Sequence, residues 1–105
     1  MTPEEQRIAI AEACGWRYDD SMEMWLSPSG IHFFEWQIPD YPNDLNAMHE
    51  AEKVFTETSD RSLYQEWLAS ICVTENNRAG EWFLVHATAA QRAEAFLRTL
   101  GKWKE

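Results

Sequence analysis

Apolar residues recur at helical spacing in four stretches of this chain, and short aromatic-rich runs lie between them. Ile8, Ala11 and Cys14 share one face of a first helix expected over 2–14. Thr2-Pro3-Glu4-Glu5 opens it as a capping box with Pro at the first helical position, and Gly15 ends it, because a residue without Cβ turns left-handed freely. Strands are expected near 16–18 and 24–26, on either side of the turn Asp19-Asp20-Ser21. Ser27-Pro28-Ser29-Gly30 is turn chemistry between apolar runs, so a hairpin should lead into a return strand over 31–36. Pro39 and Pro42 force their predecessors into extended conformations. A second helix then follows over 43–56, capped by Asn43 or Asp44, with Leu45, Met48, Ala51 and Phe55 as its apolar stripe. A third is expected over 60–74, with Leu63, Trp67 and Ile71 on one face and Tyr64 and Leu68 beside them. The loop Asn76-Asn77-Arg78-Ala79-Gly80 precedes a last strand at 82–86. Thr88-Ala89-Ala90-Gln91 is a second capping box and opens a helix over 88–100. Ala89, Ala93, Phe96, Leu97 and Leu100 should face inward there, Gly101 stops the helix, and the tail from Lys102 should fray.

The order α-β-β-β-α-α-β-α is that of an α+β fold, with a small antiparallel or mixed four-stranded sheet and four helices packed on it. The pattern leaves open whether the helices cover one face of the sheet or both. At 105 residues the chain, 1–105, has room for a single domain. Its 45% apolar content is enough for a real core.

Charge narrows the partners. Eighteen acidic residues against nine basic ones give a net charge of −9, and the Lys and Arg residues are scattered. A nucleic-acid binder needs a basic stripe to displace counterions, so direct nucleic-acid binding is disfavoured, and so is an anionic membrane surface. An acidic surface suits a partner with a basic patch, although solubility alone would also account for it. No apolar run reaches the ~20 residues of a membrane span, and the acidic, helical start is unlike a signal peptide. A cytoplasmic protein with two reduced cysteines is the expectation. Cys14 and Cys72 stand among apolar neighbours, with no metal-ligand or CxxC spacing.

Catalytic motifs are missing. There is no GxSxG, P-loop or GxGxxG, and His49-Glu50 lacks the second histidine of HExxH, since position 53 is Lys. No catalytic residue, metal site or cofactor is therefore expected, and the chain does not read as an enzyme. The densest polar run is Asp40, Tyr41, Asp44, Asn46, His49 and Glu50, around one helix N-terminus and along one helix face. Capping and solvation explain most of it, but it is the best contiguous set of contact residues. Trp25 and Trp36 are the expected aromatic anchors if they point outward, because a Trp rimmed by Asp and Glu has the makeup of a protein-binding hot spot.

Two segments carry a resemblance. Pro39-Asp40-Tyr41 followed by residues 43–52, Asn-Asp-Leu-Asn-Ala-Met-His-Glu-Ala-Glu, resembles the core segment of the small phage proteins grouped as the phage ABA-sandwich domain. Residues 87–97, Ala-Thr-Ala-Ala-Gln-Arg-Ala-Glu-Ala-Phe-Leu, resemble the C-terminal helix of that family, and Ala13-Cys14-Gly15-Trp16 is similar to its early segment. The region 60–82 departs from the family pattern. The resemblance implies helices on both sides of a small sheet and a phage or prophage origin. It transfers no catalytic residue. Together with the charge it points to a small accessory protein that binds a host protein stoichiometrically and inhibits it, a defence-system component for example. Two other functions compete. One is a sponge for a nucleotide-like small molecule, which needs arginines, aromatic rings and helix N-termini to converge. The other is a structural phage accessory. Arg7, Arg17, Arg61, Arg78, Arg92 and Arg98 are available for such a pocket, but no pattern in the sequence brings them together. The oligomeric state is likewise open.

Overall fold

The computed structural model describes residues 1–76 and 86–105, with side chains as far as residue 73 in the first stretch. Helix α1, Pro3–Ala13, begins at the predicted box: the Thr2 hydroxyl accepts from Glu5 N at 3.1 Å, and the Glu5 carboxylate accepts from Thr2 N at 3.0 Å. Gly15 follows at φ +100, a left-handed backbone angle that favours glycine. Strands β1 (Arg17–Asp19), β2 (Met24–Leu26) and β3 (His32–Phe33) form an antiparallel sheet in the order β1-β2-β3. The expected hairpin is present: Gly30 N donates to Ser27 O, and Ser27 N donates to Ile31 O, both at 2.9 Å.

The α+β class holds, with corrections in detail. Among the described residues the sheet has three strands rather than four. The strand expected at 82–86 lies outside the described residues except for His86, which is in a turn. The return strand expected over 31–36 stops at Phe33 and gives way to a 3-10 turn, Glu35–Gln37. Gln37 causes this break, because its side-chain oxygen takes the Phe34 N–H at 2.8 Å and closes the backbone on itself. Two further 3-10 segments, Tyr41–Asn43 and Glu52–Val54, flank helix α2, Leu45–Ala51. Asp44 is its N-cap, accepting from Ala47 N at 3.2 Å.

Helix α3 spans Thr58–Asn76 and α4 spans Ala89–Thr99. The buried face of α3 carries Tyr64, Leu68, Ile71 and Cys72, so it is rotated from the expected Leu63–Trp67–Ile71 line, and Leu63 is exposed. Helix α4 is the centre of the molecule. It packs against α3, α1, α2 and the 3-10 turn Tyr41–Asn43. Its Phe96 and Leu97, with Ile10, Met48 and Cys72, are the largest fully buried side chains among the described residues. The helices pack mainly on one another, and the sheet joins the core through Trp25, with Trp16 packed against it from the edge. Leu45 and Leu100, expected inside, are exposed because each sits at a helix end beyond the packed turns. The tail is held rather than frayed: Trp103 is half-buried against the core, and Arg98 lies 5.2 Å from its ring and 5.3 Å from that of Trp67. Among the described residues no helix is long and apolar enough to cross a membrane.

Candidate functional site

Trp36 is 75% exposed, the most open of the large apolar side chains among the described residues, and Phe34 beside it is about half exposed. Their rings stack with centroids 6.2 Å apart and planes 9° apart. Residues two apart on an extended strand share a face, and the turn Glu35–Gln37 leaves both rings exposed and stacked on one side. Arg7 of α1 fixes that turn from beneath, donating to Glu35 O at 2.8 Å and to Ile38 O at 3.1 Å. Glu4 holds the guanidinium from its other side, accepting from Arg7 Nε at 3.2 Å. Each charge favours the other: the Arg7 hydrogen bond lowers the Glu4 pKa, and Glu4 raises that of Arg7. The outward aromatic pair thereby sits on a turn held by Arg7.

A recess of about 260 Å³ lies at the foot of Trp36, lined by Glu4, Arg7, Ile38 and Asp40. Its rim is acidic, since Arg7 is already engaged by Glu4 and by two carbonyls. Trp36 and Asp40 thus line the same recess. Asp40 is exposed and accepts from Asn43 Nδ2 at 3.2 Å.

The other expected contact residues divide. Trp25 is only 7% exposed; it lies on the central strand with Tyr18 edge-on at 5.5 Å, so it is a core residue and not an anchor. Tyr41 is buried as well. It opens a 3-10 turn packed on α1 and α4, and burial, then the Cys14 thiol beside it, push its hydroxyl pKa up. Asp44 is occupied as a helix cap. Asn46, His49 and Glu50 are exposed on α2, where Glu50 pairs with Lys53 at 3.0 Å and His49 Nδ1 lies 3.1 Å from Glu52 Oε1. His49 and Glu50 engage neighbours in the adjoining segment Glu52–Val54, and none of the three lines the Trp36 recess.

Sequence reasoning missed a second polar centre. Glu52, at the start of the segment Glu52–Val54, accepts from Arg92 Nη1 at 3.0 Å and from the Tyr64 hydroxyl. Arg92 also donates from Nε to Ala87 O at 3.2 Å. Burial first, then the bond to Glu52, raise the Tyr64 pKa. The only signal in the sequence was Arg92 standing next to Ala93 on the inward side of a predicted helix. Among the described residues, no group of three or more His, Cys, Asp or Glu side chains is placed to hold a metal ion. No family model matches the chain, and no curated protein or solved structure matches it either.

Proposed function

We propose that this chain acts by stoichiometric binding to another protein, with Phe34 and Trp36 as the anchor and Glu4, Glu35 and Asp40 as the surrounding acidic rim. The observation that carries this reading is the stacked, outward pair on a turn clamped by Arg7. Aromatic side chains that are already ordered lose little entropy on binding, and Trp and Tyr dominate the energetics of interfaces. The partner is a protein with an apolar pocket bordered by Lys or Arg, which complements the rim and the net charge of −9.

The resemblance of residues 39–52 and 87–97 to the phage ABA-sandwich domain supports a phage or prophage origin. In that setting the partner is a host protein in the cytoplasm, and binding blocks it without catalysis. The same resemblance supports helices on both sides of the sheet. The test begins with capture of partners from host lysate by the wild-type chain and by Trp36→Ala. The partner should be lost from the variant, and hydrogen exchange in the complex should slow at residues 34–40. Equal capture by Trp36→Ala, or protection confined to α2, would overturn the reading.

A further inference from the structure

The polar centre around Glu52 borders a recess of about 350 Å³, within the size range of small-molecule sites. Glu52, Arg61, Tyr64, Gln65 and Arg92 supply its polar lining, and Phe55 and Leu68 supply its apolar surface. The charges do not cancel. Arg92, only 8% exposed, is committed to Glu52, whose Oε2 accepts from both Arg92 and Tyr64. Arg61 is different: its Nε donates to Phe55 O at 2.7 Å, which fixes the guanidinium, but among the described residues no carboxylate pairs with it. One positive charge is therefore left over at the exposed edge of a recess in a strongly acidic molecule. Its head is already oriented by a backbone carbonyl. Beside it the rings of Phe55 and Tyr64 lie 5.2 Å apart, and the Gln65 amide adds a donor and an acceptor.

We infer that this recess is a binding site for a small monoanion whose carboxylate is carried on a flat apolar ring, with Arg61 as the residue that holds the carboxylate. Each feature of the site has a counterpart in that chemistry. A guanidinium presents a planar fork to a carboxylate. A single uncompensated cation balances a single negative charge, whereas a dianion would face Glu52 with a charge to spare. Phe55 and Leu68 offer apolar contact for the ring. The Glu52–Arg92 pair ties the segment Glu52–Val54 to α4, and Arg61 and Gln65 stand outside that pair at the exposed side of the recess. The site is separate from the Trp36 surface, so the two readings stand or fall independently.

Benzoate is the probe, and titration into the ¹⁵N-labelled chain is the measurement. The Arg61 Nε–H and the Gln65 side-chain amide should shift saturably below about 10 mM, the affinity range expected of a fragment-sized ligand. Benzyl alcohol, with the ring but no charge, and inorganic phosphate, with charge but no ring, should shift them at least about tenfold more weakly. Arg61→Gln should weaken benzoate about tenfold or more while the melting curve stays cooperative, and Arg61→Lys should fall between, because it keeps the charge without the fork. Trp36→Ala should bind benzoate as the wild type does. Absence of any benzoate shift, an equal shift with benzyl alcohol, or unchanged benzoate affinity in folded Arg61→Gln would overturn the inference.

Discussion

Phe96 has no exposed surface, and its ring lies 4.9 Å from that of Phe55. Truncation to Ala removes those contacts and leaves a cavity under α4, so Phe96→Ala should cost about 3–5 kcal/mol in urea unfolding. Asp19 makes a different kind of prediction. The Ser21 hydroxyl at 2.6 Å, and then His32 Nε2 at 2.9 Å, hold its carboxylate in the charged form and lower its pKa to about 2. A depressed carboxyl contributes stability above its unfolded pKa of about 4 and loses that contribution as pH falls through about 2. Asp19→Asn should therefore be less stable than wild type at neutral pH, with the difference closing on acidification through that window, and carbon NMR should place the Asp19 midpoint near the lower limit. Both thiols should react slowly in native buffer: burial raises the Cys14 pKa, and Cys72 is about 1% exposed. Rapid labelling of either before denaturant is added would contradict this. At this scale periodicity located Met48, Phe55, Phe96 and Leu97 inside but misplaced Leu45, Leu63 and Leu100. A repeat of apolar residues defines a face, and only tertiary neighbours decide how far along a helix that face is covered. The Glu52, Arg61, Tyr64 and Arg92 recess was invisible for a related reason. Its residues come from three elements, and no short-range spacing records that they meet.

The helix starts were the most legible elements, because a cap is a local bargain between a hydroxyl and backbone N–H groups a turn away. Both capping boxes form as read; at α4 the Thr88 hydroxyl accepts from Gln91 N at 3.1 Å, and Gln91 Oε1 accepts from Thr88 N at 2.9 Å. Gln91 is also a partner of the Cys72 thiol at 3.8 Å, so this cap ties α4 to α3. Thr88→Ala should destabilise the fold by about 0.5–2 kcal/mol, near the upper end if the cap and the tie between helices fail together. Thermal melts of Thr88→Ala beside Thr88→Ser, which keeps the acceptor, would check it. The third strand was the least legible element. Its apolar run was expected to continue as strand to Trp36, yet it stops at Phe33 and the rings of Phe34 and Trp36 face outward from a turn. Hydrophobicity alone does not distinguish a core position from an interface position. The distinction came from Gln37 and Arg7, a side-chain cap and a remote clamp on the backbone, neither of which alters the apolar pattern.

For the whole molecule, the net charge of −9 sets how it meets a basic partner. Association should slow as salt rises, because the Debye length falls from about 10 Å at roughly 0.1 M to about 3 Å at roughly 1 M. Reversing Glu35 and Asp40 to Lys should slow it further than reversing Glu50, which is already paired with Lys53 away from the Trp36 recess. Stopped-flow association rates for the three forms would show the order. The position of α4 at the centre of the packing reaches beyond equilibrium. Helix α1, the turn Tyr41–Asn43, α2 and α3 all meet α4, so the segments made before it have no completed core to bury against while the chain is still being synthesised. Contacts between α1 and α4 close a loop of most of the chain's length, which slows folding relative to a bundle of neighbouring helices. A nascent chain halted before residue 87 should therefore remain protease-sensitive on the ribosome, and protection should come in one step once α4 has cleared the exit tunnel.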